Sequence, residues 1–256
     1  MNAIPVLMYH HVNAEGSFIT VGVRNFEKQM AFLKEQGYRT INTADFENIL
    51  TNPDAAATKN TIMITFDDGW ADNWHYAWPI LKKYDLKAVF FVVTSWVHDG
   101  GVRPSGGVFP PHKKCKAMVA EGLAKEVVMS WDELREMEAD GLIDVQSHTH
   151  MHKKIDGDGV YENLSQSKEL IEARLGKKCE ALCWPWGIYN DRYISDALKA
   201  GFRLLFTTEL GTNTLKTGQL EIKRIAIGDI GVMKFRKKLF IHSDDGLSKL
   251  YLRIFK

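Results

Sequence analysis

The sequence has almost no excess of either charge, since 33 lysines and arginines stand against 32 aspartates and glutamates, a formal net charge of +1. Dedicated nucleic-acid-binding proteins usually have a strong basic excess, so this balance argues against that class. Cysteine is also scarce. Cys115, Cys179 and Cys183 form neither a C-x-x-C pair nor an even set for disulfides. We therefore expect reduced thiols, as in a reducing compartment.

The sequence also lacks a long apolar run of the length needed to cross a bilayer. The first residues show no basic stretch followed by the apolar segment of a secretory signal. These two absences lead us to expect a cytoplasmic location; the alternative is an exported protein whose leader has been removed from the chain. The basic C-terminal extension, at about 234–256, has seven lysines and arginines against two aspartates and several apolar residues. We interpret it as a docked terminal helix; the alternative is peripheral contact with the inner face of the membrane.

Short apolar runs alternate with amphipathic helical patterns along the chain, which predicts an α/β fold with a largely parallel sheet. A length of 256 residues suits one α/β barrel, so we expect a single domain over 1–256. A stretch rich in glycine and proline, at about 98–128, is expected to be a long loop excursion that shapes a substrate groove at the barrel mouth. The predicted strands are Ile4–Tyr9, Thr61–Phe66, Ala88–Thr94, Ile143–Gln146, Ala181–Trp184 and Leu204–Thr207. The predicted helices are Phe26–Gln36, Asp72–Tyr84, Trp131–Ala139, Val160–Leu175 and Arg192–Ala200.

A pair of acidic residues follows one of these apolar runs, in the motif Thr65-Phe66-Asp67-Asp68-Gly69. Two carboxylates at the end of a buried strand are costly unless they are paired or functional. At the C-terminal end of a barrel strand they would face an active site. If the chain bends at Gly69, one of the two carboxylates can bind a cation while the other stays free for proton transfer. Taken alone, the motif also fits a solvated turn.

A histidine cluster follows the strand predicted at Ile143–Gln146, in the sequence Ser-His-Thr-His-Met-His. His148 and His152 are four residues apart, which predicts two imidazoles on one face of a helical turn, within reach of one cation. Two neutral imidazoles and one carboxylate form a common catalytic metal set, and Asp68 can supply the carboxylate. His150 is the spare member, and we expect it to support the site or lie on the surface.

A third motif, Cys183-Trp184-Pro185-Trp186-Gly187, closes another predicted strand. Its aromatic rings could form one wall of a substrate groove, and Gly187 would let the backbone approach a ligand closely. An aromatic corner of the core is an equally good interpretation of this motif by itself.

Together these motifs resemble those of the NodB-homology polysaccharide deacetylases, also called carbohydrate esterase family four. The acidic motif matches the family's T-F-D-D-G, the histidines match H-[ST]-x-x-H, and Pro185-Trp186-Gly187 matches the core of its third motif. The resemblance implies a distorted (β/α)7 barrel. It also implies Asp67 as the catalytic base, and Asp68, His148 and His152 as the metal ligands.

The sequence departs from the family pattern at the position of its third-motif arginine, which usually pairs with the catalytic aspartate; Cys183 stands there instead. Two residues compete for the role of general acid. Leu239-Phe240-Ile241-His242 matches the letters of the family's L-x-x-H motif, which makes His242 the alternative. The other is His10, because the N-terminal Tyr9-His10 resembles the Y-H motif of a subgroup that includes poly-N-acetylglucosamine deacetylases. That subgroup also lacks the third-motif arginine, so we choose His10.

The resemblance implies a metal-dependent hydrolase that removes N-acetyl groups from N-acetylhexosamines of a polysaccharide or its lipid-linked precursor, releasing acetate. Pro185, Trp186 and Gly187 would contact the glycan. The expected cofactor is a divalent metal ion, with Zn²⁺ first and Co²⁺, Ni²⁺ or Fe²⁺ as alternatives. Two other functions stay open: hydrolysis of a small non-sugar amide or another C–N bond, and carbohydrate binding without catalysis.

Overall fold

The computed structural model describes residues 3–52, 60–104, 107–154 and 159–255. Its strands are β1 Val6–Tyr9, β2 His11–Asn13, β3 Thr20–Gly22, β4 Arg39–Thr40, β5 Thr61–Phe66, β6 Ala88–Val92, β7 Ile143–Ser147, β8 Ala181–Cys183, β9 Leu204–Leu210 and β10 Ile222–Ala226. Its α-helices are α1 Val23–Glu35, α2 Thr43–Thr51, α3 Trp78–Tyr84, α4 His112–Ala120, α5 Ala124–Val127, α6 Trp131–Ala139, α7 Gly159–Leu175, α8 Asp191–Lys199, α9 Val232–His242 and α10 Asp245–Phe255. A π-helical turn, Asn73–Ala77, precedes α3, and a 3-10 turn, Pro185–Gly187, follows β8.

Seven parallel strands close into a barrel. The order runs β1-β10-β9-β8-β7-β6-β5, and β1 pairs with β5 as well as with β10, so the sheet closes on itself. β4 pairs with the first two residues of β5, Thr61 and Ile62, and β2 pairs with β3 in a separate two-stranded sheet. The strands are almost wholly buried, which explains their continuous apolar runs. The predicted distorted (β/α)7 barrel is confirmed.

The predicted elements agree closely with the observed ones wherever the apolar pattern is strong. β5 and α6 have the predicted bounds, and α7 and α8 each begin one residue earlier than predicted. The prediction missed α2 and β10, although β10 is the strand that pairs with β1 to close the barrel. Because β10 is only five residues long and contains a lysine and an arginine, it does not stand out as a buried strand.

The excursion predicted at about 98–128 contains more regular structure than expected. Its described part forms α4 and α5, and Met129 N donates to the carbonyl of Gly69, while Trp131 N donates to that of His98. These bonds tie the end of the excursion to Gly69 and His98. Cys115 is the one residue of α4 that is fully buried, so the helix lies on the surface of the barrel core.

The predicted basic C-terminal extension forms α9 and α10. α9 packs on α1 through buried Phe235, whose ring meets that of Phe32 edge-on at 6.2 Å. α10 leaves Leu250 and Ile254 exposed, and the membrane contact expected for this segment stays a prediction. In the part of the chain that the structure describes, no helix has the length and apolarity needed to cross a bilayer.

Candidate active site

The barrel brings the predicted site residues to one end. Asp67 and Asp68 follow β5, His148 follows β7, and Cys183 is the last residue of β8. His10 lies directly after β1. Because these strands are parallel, their C-terminal ends meet at the same mouth, where active sites of (β/α) barrels lie.

One oxygen of Asp68 and the two predicted histidine ligands converge on a common point. Asp68 Oδ1 lies 3.2 Å from His152 Nε2 and 3.5 Å from His148 Nε2. One ligand atom from each residue lies within 4.8 Å of the others, and all three side chains are buried. Asp68 Oδ1 accepts no hydrogen bond of acceptable geometry from the described residues. Such an orphaned oxygen facing two imidazole nitrogens fits a divalent cation.

The surroundings also orient these ligands. His148 Nδ1 lies 2.8 Å from the carbonyl oxygen of Cys183. Because a carbonyl only accepts, Nδ1 carries the proton, and Nε2 has a free lone pair for a metal. Burial, together with the neighbouring His152, lowers the pKa of His148 to about 4, which keeps the ring neutral as a metal ligand must be. Trp70 Nε1 donates to Asp68 Oδ2 at 2.9 Å and fixes the carboxylate plane.

The two histidine ligands meet for a different reason from the one predicted. The expected helical turn over 148–152 is wrong, because this stretch is an irregular loop. Thr149 and His152 have positive φ of 69° and 47°, and Asp68 and Trp186 share this left-handed region with φ of 74° and 56°. Non-glycine residues adopt it at a cost, and such residues cluster where the surrounding structure imposes a functional geometry. The strained loop thus folds His152 back over Asp68.

Asp67 is held by an arginine that the sequence did not reveal. The Arg224 guanidinium, wholly buried on β10, donates to Asp67 Oδ1 at 2.7 Å and Oδ2 at 2.8 Å. Burial acts to raise the pKa of Asp67, but the charge and hydrogen bonds of Arg224 outweigh it, so the pKa is lowered. Asp67 is therefore ionised and oriented. Cys183 stands where the family usually has the arginine that pairs with the catalytic aspartate, and here Arg224 makes that pairing from another strand of the barrel. Arg224 also donates a hydrogen bond to Cys183 Sγ at 2.9 Å.

A second set of ligand types, Asp67, His148 and Cys183, also lies close enough for a metal. Its chemistry does not fit one. Both oxygens of Asp67 are already bonded to Arg224, and burial raises the pKa of the Cys183 thiol well above its usual range. A metal would need the thiolate, so of the two sets only the Asp68 set has the chemistry to hold a cation. All three cysteines are buried free thiols.

His10 and His242, the two candidates for general acid, lie in different places. His10 Nε2 is 3.8 Å from Asp67 Oδ2, its ring is 23% exposed, and Asn73 anchors its carbonyl at 2.8 Å. Burial lowers the pKa of His10, while Asp67 and Asp68 oppose that shift. His242 is buried in the C-terminal helices, where its Nδ1 lies 2.8 Å from Ser248 Oγ. The geometry favours His10.

The third motif borders the metal ligands. Trp186 is half exposed and its ring centroid lies 4.4 Å from that of His152. The N–H groups of Gly187 and Ile188 are bonded to the carbonyls of Trp184 and Pro185. Gly187 has φ of 66°, and a Cβ at this position would overlap the hydroxyl of Thr208. Glycine is therefore required where the turn passes β9.

Sequence reasoning missed Arg224, Trp70 and Lys116, which all contact predicted site residues. Lys116 Nζ, on α4, lies 3.4 Å from His152 Nδ1 and 4.4 Å from the Trp96 ring centroid. A signal for Arg224 was present, since a charged residue between two isoleucines of a short strand needs a buried partner. Nothing in the sequence indicates that α4 folds back over the metal ligands.

A closed seven-stranded barrel with a carboxylate–imidazole cluster at its mouth, beside an ionised aspartate, has the features of a hydrolase of the deacetylase class, and the cluster could hold a metal ion. A model of the polysaccharide deacetylase family matches residues 54–205, which is more than half of the chain. The chain belongs to the polysaccharide deacetylase family, as its motifs implied.

Three known proteins illustrate the similarity. YxkH of Bacillus subtilis, whose name places it provisionally among polysaccharide deacetylases, is 26% identical over 227 residues, covering 88% of this chain and 71% of its own length. The poly-beta-1,6-N-acetyl-D-glucosamine N-deacetylase of Escherichia coli is 25% identical over 82% of this chain, which spans only 34% of that enzyme. Among solved structures, the Streptococcus pyogenes deacetylase PplD in complex with acetate superposes with a TM-score of 0.75 at 25% identity. That match covers 92% of this chain and 97% of PplD.

Proposed function

We propose that this chain is a metal-dependent hydrolase that removes N-acetyl groups from N-acetylhexosamine residues of a polysaccharide or of its lipid-linked precursor. The observation that supports this most strongly is the convergence of Asp68, His148 and His152 beside an ionised Asp67. The E. coli relative is named for a β-1,6-linked N-acetylglucosamine polymer, so that polymer is the first substrate to test.

Amide hydrolysis needs an activated water, a stabilised oxyanion and a protonated leaving amine. Asp68, His148 and His152 would hold a divalent cation, with Zn²⁺ as the first candidate. When bound, that ion would acidify water and polarise the acetamide carbonyl. Asp67 would accept the water proton as general base, in an orientation fixed by Arg224.

Two further groups would complete the reaction. His10, whose Nε2 is 3.8 Å from Asp67 Oδ2, would donate a proton to the departing glucosamine nitrogen. The backbone N–H of Trp186 is our candidate oxyanion donor, since those of Gly187 and Ile188 are already bonded. The products would be acetate and a cationic amino sugar.

The test combines metal analysis of the purified protein with acetate release from N-acetylated glycans. Asp67→Asn should keep the metal and lose about 10²–10⁴-fold in kcat, because it removes an acid–base group. His148→Ala should lose metal and activity together. His150→Ala is the matched control in the same loop, since His150 Nδ1 lies 2.9 Å from Thr94 Oγ1 and is outside the ligand set.

Three outcomes would contradict the proposal. A kcat of Asp67→Asn equal to that of the wild type would show that Asp67 is not the general base. Metal bound without acetate release from any glycan would favour a carbohydrate-binding protein. Faster hydrolysis of small amides than of chitooligosaccharides or nucleotide sugars would favour a small-molecule amidase.

A further inference from the structure

A second chain of ionisable groups lies beside the metal ligands and has no part in the chemistry described above. Asp72 Oδ2 is 2.7 Å from His11 Nδ1, and His11 Nε2 is 3.0 Å from His112 Nδ1. Asp72 and His11 are almost completely buried, whereas the His112 ring is half buried. Buried polar groups in an ordered line of this kind fix one another's protonation.

The chain ends at the wall of the candidate active site. His112 is the first residue of α4, and Lys116, one turn later on the same face, lies 3.4 Å from His152 Nδ1. The Trp70 ring stacks on His11 at 4.8 Å and meets His112 edge-on at 5.8 Å. Because Trp70 also donates to Asp68, one indole contacts the histidine line and the metal set.

The hydrogen bonds determine which nitrogen of His112 carries the proton. Burial raises the pKa of Asp72 above its usual value, and the charge and the 2.7 Å hydrogen bond of His11 oppose that shift without reversing it. An ionised carboxylate can only accept, so His11 Nδ1 donates to Asp72. In a neutral His11 ring the other nitrogen, Nε2, is then an acceptor. His112 Nδ1 must then donate to His11 Nε2. The remaining nitrogen, His112 Nε2, therefore has a lone pair.

His112 Nε2 is available to a ligand. It has no hydrogen-bond partner among the described residues, and it is not one of their buried unsatisfied atoms. Burial and the neighbouring His11 lower the pKa of His112 to about 4, so the ring is neutral near pH 7. A neutral acceptor beside a deacetylase site suits a hydroxyl group, the most abundant donor of a sugar.

We propose that His112 Nε2 accepts a hydrogen bond from a sugar hydroxyl of the substrate, and that His11 and Asp72 are positioning residues that keep this nitrogen unprotonated. The inference rests on the proposed function, since it assigns part of the glycan-binding surface. Because His112 is the first residue of α4, this contact would make α4 and the excursion after β6 contribute to substrate affinity.

The tautomer can be measured directly by ¹⁵N NMR of the histidine rings in the zinc-loaded protein near pH 7. We expect a proton on His112 Nδ1 and none on Nε2. Asp72→Asn should invert this pattern, because replacing the aspartate of a buried Asp–His pair by asparagine favours the wrong tautomer. A proton on Nε2 of wild-type His112 would overturn the proposal.

Kinetics test the substrate contact. His112→Ala should raise KM for an N-acetylglucosamine oligomer roughly threefold to tenfold, the effect of one neutral hydrogen bond, with kcat nearly unchanged. His112→Gln, whose amide oxygen lies near the position of Nε2, should recover most of the loss. Lys114→Ala, on the exposed side of α4, is the matched control.

An unchanged KM in His112→Ala would refute the contact while leaving the deacetylase function intact. If the zinc-loaded wild type releases no acetate, the proposed function fails separately. Binding of the same oligomer, followed by tryptophan fluorescence, then decides: a Kd raised threefold to tenfold in His112→Ala supports the contact, and an equal Kd refutes it.

Discussion

Arg224→Met removes the cation that holds Asp67, and its effect can be worked out from the contacts. Arg224 is completely buried and donates to both oxygens of Asp67, and its Nε donates to the carbonyl of Thr207 at 2.7 Å. The variant leaves a buried carboxylate without its partner. Breaking a buried ion pair from one side costs about 3–5 kcal/mol. At about 2–4 °C per kcal/mol, the melting temperature should fall by roughly 6–20 °C.

The pH dependence of this loss follows from the sign of the shift in the pKa of Asp67. In the wild type the folded pKa is lowered, so the ionised form stabilises the fold above the unfolded pKa. Without Arg224, burial dominates and the folded pKa should rise above the unfolded one. The variant is then penalised most at neutral pH, and its deficit against the wild type should narrow as the pH falls through the raised pKa toward the unfolded value of 3.8. Acetate release at pH 7 should fall as well.

The assay is chemical denaturation at pH 7 and pH 5, with acetate release measured on the same samples. Asp67→Asn combined with Arg224→Met should recover part of the stability but no activity, because both charges are then removed. Arg203→Met is the matched control. Arg203 bridges Glu47 and Glu180 on the surface and is half exposed, so its loss should cost under about 1 kcal/mol. If Arg224→Met costs no more than Arg203→Met, Arg224 does not hold Asp67 ionised.

The remaining predictions concern the general acid and the third motif. His10→Ala should lower kcat by about 10²–10⁴-fold while His242→Ala leaves it within about twofold; acetate release with the opposite ranking would transfer the role to His242. Burial lowers the pKa of His242 to about 4, so its neutral form stabilises the fold above the unfolded value of 6.5. That contribution should disappear as the pH falls from 6.5 toward 4, and denaturation curves of His242→Gln should lack this loss. Gly187→Ala should lower the free energy of unfolding by about 1–3 kcal/mol, because the added Cβ overlaps the hydroxyl of Thr208. The double variant with Thr208→Ala should regain part of that free energy. If the losses of the two single variants simply add, the overlap is not the cause.

The candidate metal ligands show how far residue spacing predicts proximity. The sequence placed Asp68, His148 and His152 in one set, and the structure brings their ligand atoms together. The expected helical turn was nevertheless wrong, because the chain after β7 passes through left-handed residues at Thr149 and His152. Spacing predicts proximity, whereas the backbone path depends on what the loop packs against, here Trp96 and Trp186.

Local sequence was sufficient for the alternation of strands and helices and for the residues that end each strand. These features depend on apolar periodicity and on motifs a few residues long. Parallel strands with such endings can be expected to gather their polar residues at one mouth. The α/β class and the candidate ligands follow from that logic, whereas the choice of Asp67 as the base and of a (β/α)7 barrel came from the resemblance to the deacetylase family.

Only the tertiary structure decided which residues from distant segments complete the site. Arg224 reaches Asp67 across 157 positions of sequence, and His11 reaches His112 across 101. Such partners are chosen by barrel closure and by the path of the excursion, which depend on the packing of the whole chain. Local periodicity contains no information about that packing. The ionised state of Asp67 and the hydrogen bond between His11 and His112 therefore depend on the folded barrel and not on any short stretch of sequence.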